Sequence, residues 1–166
     1  MSVEFDVNLT EKDLYRFNIY QTYHGSQGVM SILIALLMFV IGGVSGYKGS
    51  IGYLVLYLAV GIVVLIYIPV SLKLRVKQIM KTNEVLANTL HFCLTEEALL
   101  VTQGEEKGEL PLDMVYKVVA TKYQVLIYSN RINAYIIPRE QLGGKYEPFC
   151  ELIRAKLPSY RRKLGR

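Results

Sequence analysis

The chain is 166 residues long, 52% hydrophobic and 20% charged, and it carries 19 Lys and Arg against 14 Asp and Glu, a net charge of +5. A mean hydropathy of +0.27 excludes a disordered chain and is too apolar for an ordinary soluble domain of this length. The charges are so unevenly placed that the chain reads as parts of different physical character.

Residues 1–27 are expected to be a cytoplasmic strand and helix. Val3-Glu4-Phe5-Asp6-Val7 alternates apolar and acidic residues with the period of a half-buried strand. Thr10-Glu11-Lys12-Asp13 then has the pattern of a helix N-cap with an acid at its third position, and Leu14 and Phe17 continue on one face.

Residues 28–72 read as a transmembrane hairpin. No Lys, Arg, Asp or Glu lies between Arg16 and Lys48, and Val29 to Val44 is almost continuously apolar. A second uncharged stretch, Gly49 to Leu72, exceeds the roughly 30 Å hydrocarbon core at about 1.5 Å per residue. A core helix of a soluble bundle would carry a polar outer stripe, and neither stretch has one. A cleavable signal peptide is not expected, because the residues before Val29 are mostly polar and a second span follows at once. The connection Gly43 to Ser50 is short and glycine-rich, which predicts a tight antiparallel pair. Gly42 and Gly46 are read as turn glycines, Gly61 and Ala59 as packing positions, and Pro69 as a kink. No ionisable residue interrupts either span, which argues against an ion or proton pathway. With 13 tyrosines and no tryptophan, the interfacial aromatic role falls to Tyr20, Tyr23, Tyr47, Tyr53 and Tyr67, and His24 reads as one more interfacial residue.

Residues 73–87 are expected to be a basic juxtamembrane helix, with Leu72, Val76 and Ile79 on one face and Lys73, Lys77 and Lys81 at four-residue spacing on another. Lys73, Arg75, Lys77 and Lys81 follow the second span, Lys12 and Arg16 precede the first, and Lys48 alone lies in the turn. The positive-inside bias therefore predicts a protein of the cytoplasmic (plasma) membrane with both termini in the cytoplasm.

From residue 88 to 166 the pattern becomes short alternating strands with hairpin signals, followed by a helix and a basic tail. The strands expected are Leu90 to Leu94, Leu99 to Gln103, Glu109 to Leu112, Val115 to Thr121, Tyr123 to Tyr128 and Ala134 to Ile137. Residues 104–108 are read as a reversing loop with Glu105, Glu106 and Glu109 as a solvated tip. A helix opening at Tyr146 presents Phe149, Leu152, Ile153 and Leu157 to the sheet and stops at Pro158. The fold class is α+β: a two-helix transmembrane hairpin plus a cytoplasmic antiparallel β-barrel or sandwich with a C-terminal helix, to which the Val3 to Val7 strand adds itself if it docks.

The double-span hairpin, the Phe92-x-Leu94-Thr95-Glu96-Glu97-x-Leu99 turn and the strand end Ile136-Ile137-Pro138-Arg139 resemble the YcxB-like proteins of bacteria over nearly the whole chain. The resemblance implies a C-terminal domain similar to bacterial pleckstrin-homology domains and an integral membrane protein with no established biochemical activity.

No phosphate-binding glycine loop, HExxH helix, paired CxxC or Gly-x-Ser-x-Gly elbow occurs, so no enzymatic role, cofactor or metal is expected. His91 and Cys93 share a strand face but lack a third ligand nearby in sequence, and both cysteines, Cys93 and Cys150, are read as reduced and structural. The candidate functional residues are basic: Lys73, Arg75, Lys77 and Lys81, and within the tail of Arg154, Lys156, Arg161, Arg162, Lys163 and Arg166, chiefly Arg161, Arg162 and Lys163. They suit anionic lipid headgroups or a partner protein, in a regulatory or envelope-related role, and they equally suit topology and solubility alone. Nucleic acid is not expected, because the tail lacks interleaved aromatics beyond Tyr160. The alternative is a small subunit of a membrane complex, such as a transporter or enzyme accessory, with the hairpin as its interface; self-association is left open.

Overall fold

The computed structural model describes residues 2–83 and 88–164. Arg166 and residues 84–87, the end of the expected juxtamembrane helix, lie outside the described residues. The chain divides into a helical unit of residues 15–79 and a β-rich unit of residues 1–14 and 80–166.

In the helical unit, α1 (Glu11–His24) leads to α2 (Ser26–Tyr47) and α3 (Ile51–Thr82). The apolar parts of α2 and α3 are long enough to cross a membrane, and only 17% and 11% of their most apolar windows are buried. A soluble core would bury most of such a surface, so the pair has the length, apolarity and exposure of membrane spans. The turn between them closes on Gly49 at φ +87, with the Gly49 amide donating to the Gly46 carbonyl at 2.9 Å and the Ser50 amide to that of Ser45 at 3.0 Å.

The hairpin packs through its glycines. A Cβ on Gly61 would lie 2.4 Å from the Phe39 ring, so the ring occupies the space glycine leaves. Gly42 and Gly46 are packing residues too: a Cβ would come within 3.1 Å of Tyr57 at the first and 2.9 Å of Leu54 at the second, and neither has a positive φ. This corrects their reading as turn glycines. The Ser31 hydroxyl donates across to the Val64 carbonyl at 3.4 Å. Helix α3 continues through Pro69 without a break and carries on as the basic segment to Thr82.

The β-rich unit contains two four-stranded sheets. The first is ordered β1 (Val3–Val7), β2 (Leu90–Leu94), β3 (Ala98–Gln103), β4 (Glu106–Pro111), all antiparallel. The N-terminal strand docks as expected, with Val3, Phe5 and Val7 buried and Glu4 and Asp6 exposed. Directly after it, Thr10 and Asp13 cap α1 reciprocally: the Thr10 hydroxyl donates to Asp13 Oδ2 at 2.6 Å, and the Asp13 amide donates back to Thr10 Oγ1 at 3.3 Å. The chain reverses between β3 and β4 in a two-residue turn, Gly104-Glu105, with Gly104 at φ +58. Strand β4 therefore begins at Glu106, and the five-residue loop expected over residues 104–108 is mostly strand.

The second sheet is ordered β7 (Ala134–Pro138), β6 (Gln124–Tyr128), β5 (Lys117–Ala120), β8 (Arg162–Lys163). Strand β8 pairs parallel with β5 and turns part of the basic tail into a sheet edge. The 3₁₀ turn Leu112–Met114 links the sheets, taking Leu112, the expected last residue of the preceding strand, into the turn. No closed barrel forms among the described residues, because β4 ends at that turn and β8 caps β5; the arrangement is sandwich-like.

The core gathers around Phe92 and Phe149, both fully buried. Phe5 stacks on Phe92 at 5.5 Å between centroids and meets Phe149 edge-on at 6.0 Å, while Phe92 meets Tyr135 edge-on at 5.9 Å. These contacts tie the two sheets to each other and to the C-terminal helix, α5 (Tyr146–Lys156), each aromatic pair contributing about 0.5–1.5 kcal/mol beyond burial. A short helix, α4 (Arg139–Leu142), intervenes, and Gly143 ends it at φ +49.

Two hairpin turns repeat one device. Thr95 and Thr121 each use the hydroxyl to accept an amide three residues on, from Ala98 at 3.0 Å and Gln124 at 3.1 Å, and to donate to the same residue's carbonyl.

Candidate functional site

Lys73, Arg75 and Lys77 are exposed on α3 within the helical unit, and Lys81 is exposed on its last turn, within the β-rich unit. Because α3 runs unbroken from the apolar span, Lys73, Lys77 and Lys81 lie along one stripe of a single helix. Acidic residues are absent from α3, so the stripe meets no counter-charge on its own element.

The three basic tail residues sit together in the β-rich unit but have different partners. Pro158 ends the path from α5, and the 3₁₀ turn Ser159–Arg161 brings Arg161 back over the linker between the sheets. Its Nη1 donates to the Asp113 carbonyl at 2.9 Å and reaches the Val115 carbonyl at 3.5 Å. The Arg162 guanidinium donates to the Arg154 carbonyl at the end of α5. Lys163 is exposed beside Val119 of β5. Lys156 forms an ion pair with Glu96 at 2.9 Å, so this part of the tail is already neutralised.

Two cations absent from the sequence-based set join Arg161. The parallel register opposes Val118 to Arg162, which places Lys117 and Arg161 at the same end of the β5–β8 pair. Arg131 comes from the β6–β7 turn at that end, where Asn130 Oδ1 accepts the amides of Ile132 at 2.8 Å and Asn133 at 2.7 Å. Lys117 Nζ lies 4.5 Å from the centroid of the Tyr128 ring, an arrangement that keeps a cation over an aromatic face. Nothing local in the sequence joins residues so far apart; the pairing of β5 with β8 does.

The pair His91 and Cys93 acquires neighbours through β1. His91 Nδ1 is 2.7 Å from Asp6 Oδ1, and Cys93 Sγ is 3.7 Å from Glu4 Oε1. Among the described residues, no group of three His, Cys, Asp or Glu side chains has the geometry to hold a metal ion. Partial burial, reinforced by the Glu4 carboxylate, pushes the Cys93 thiol up, away from the nucleophilic thiolate. Burial likewise pushes the Cys150 thiol up, against the opposing effect of the Tyr146 hydroxyl beside it. Both cysteines are free, one on β2 and one on α5. His24 stacks on Tyr20 at 3.9 Å, one turn away on α1.

A family model described as YcxB-like protein matches residues 94–153, from the end of β2 into α5. The matched stretch is narrower than the resemblance read from the sequence and leaves the apolar hairpin outside it. No curated protein and no solved structure matches the chain.

Proposed function

Starting from a chain that carries a YcxB-like domain, we propose that it is a non-catalytic protein of the cytoplasmic membrane whose β-rich, pleckstrin-homology-like part lies in the cytoplasm and binds anionic lipid headgroups. The observation that carries this reading is the uninterrupted passage of α3 from an apolar span into the exposed stripe of Lys73, Lys77 and Lys81. Continuity with the span supports a position of those ammonium groups near the headgroup layer, where each would contribute about 1 kcal/mol of attraction to an anionic leaflet. The same asymmetry of charge supports cytoplasmic termini. Arg162 and Lys163 add basic character on the edge of the second sheet.

The reading of the hairpin as a subunit interface has less support. Gly61, its best small-residue contact, already receives Phe39 of the same hairpin.

Spin-labelled lipids test the reading. With the full chain in phosphatidylcholine nanodiscs, labelled phosphatidylglycerol should show a larger motionally restricted fraction than labelled phosphatidylcholine. Lys73→Gln, Lys77→Gln and Lys81→Gln together should remove the difference. Equal restricted fractions for the unaltered chain would refute headgroup binding.

A further inference from the structure

We infer that the end of the second sheet where β5 begins and β6 ends is a docking groove for the headgroups of an anionic phospholipid surface. The inference deepens the proposed meeting of this domain with the inner leaflet and rests on it. The groove has a volume of about 620 Å³, and among the described residues Lys117, Arg131 and Arg161 line it against a single carboxylate, that of Asp113.

The three cations are held in different ways. Arg161 commits Nη1 to the Asp113 and Val115 carbonyls, which orients the planar guanidinium while its other N–H groups remain for an oxyanion. Arg131 projects from a turn locked by Asn130 and is exposed. Lys117 rests against the Tyr128 and Tyr116 rings, 4.5 and 5.8 Å from their centroids. Phosphodiester oxygens match this set, the guanidinium groups as forked donors and the ammonium as a point charge.

The rim distinguishes a lipid surface from a soluble anion. Tyr160 is 80% exposed and Met114 67%, and both line the groove with the cations, while Ile132, 68% exposed, follows Arg131 in the β6–β7 turn. A dissolved phosphate leaves such apolar side chains in water, whereas a bilayer takes the cations at its headgroups and the apolar tips just below them. Tyrosine suits that boundary, with an apolar ring and a polar tip. Tethering by the hairpin keeps the bilayer at high effective concentration, so a modest site suffices.

Hydrogen exchange of the full chain tests this in nanodiscs of phosphatidylcholine alone and of phosphatidylcholine mixed with phosphatidylglycerol. Phosphatidylglycerol should slow exchange at residues 112–118, 129–134 and 159–163, and Lys117→Gln with Arg131→Gln should cost roughly fivefold in protection per cation removed. Met114→Asp should remove it by a different route, with exchange in β1 to β4 unchanged as the control for folding. Protection confined to other segments would overturn the groove and leave lipid binding standing. Equal protection from glycerol phosphate over phosphatidylcholine alone would overturn the lipid as its source. Absence of any protection, together with equal spin-label fractions, would remove both.

Discussion

The Arg161 guanidinium donates to the Asp113 carbonyl at 2.9 Å, joining residues 48 positions apart and fastening the C-terminal tail to the linker between the two sheets. A charged donor and a backbone acceptor that has left its sheet make a bond of about 1.5–3 kcal/mol. The tail is thereby structural as well as basic: β8 follows the anchored residue immediately and pairs with β5.

Arg161→Ala should therefore lower the stability of the β-rich unit by about 1–3 kcal/mol and speed amide exchange at Val118 and Val119, opposite β8. Thermal unfolding followed by circular dichroism, with exchange read by mass spectrometry, checks this. A melting temperature and exchange rates equal to those of the unaltered chain would show that the anchor carries nothing.

In the aromatic core, Phe92 is fully buried and touches Phe5 and Tyr135 from different directions. Phe92→Ala should cost about 3–5 kcal/mol, the cost of a large core truncation. Denaturant unfolding followed by tyrosine fluorescence reads the loss. A cost under about 1 kcal/mol would mean that the two sheets do not share this core.

Hairpin packing gives a prediction with an internal rescue. A Cβ at Gly61 collides with the Phe39 ring, so Gly61→Ala should destabilise the helix pair by about 1–3 kcal/mol, and adding Phe39→Ala should restore much of it. Titration of the detergent-solubilised chain with a denaturing detergent measures both variants. Equal loss in single and double variants would place the Gly61 effect elsewhere.

The cysteines should differ sharply in alkylation. Cys150 is fully buried on α5 and should react with iodoacetamide only after unfolding, whereas Cys93 is partly exposed and reacts in the folded protein. Because burial and Glu4 raise the Cys93 thiol, its rate should rise with pH later than that of a free thiol, and Glu4→Gln should shift the profile to lower pH. An unchanged profile in Glu4→Gln would contradict the pairing across β1 and β2.

Features carried by a repeated local signal were legible in the sequence. The all-round apolar composition of two segments marks the hairpin, the alternation of Val3, Phe5 and Val7 marks β1, and Thr95-Glu96-Glu97 marks a turn. Strand β8 escaped because two residues have no period and parallel pairing to β5 is set by a distant partner. The extent of β4 is not legible locally, because Glu106-Lys107-Gly108-Glu109 has the composition of a loop although it forms an exposed strand at a sheet edge. The basic tail is legible as charge, but its convergence with Lys117 and Arg131 is a product of topology alone.

The most direct measurement counts lipids bound to the full chain by native mass spectrometry, after release from nanodiscs holding phosphatidylcholine and phosphatidylglycerol in equal amounts. Anionic headgroup binding predicts that retained lipid is enriched in phosphatidylglycerol and that Lys73→Gln, Lys77→Gln and Lys81→Gln, combined with Lys117→Gln and Arg131→Gln, return it to the composition of the disc. Retained lipid that mirrors the disc in the unaltered chain would contradict the account.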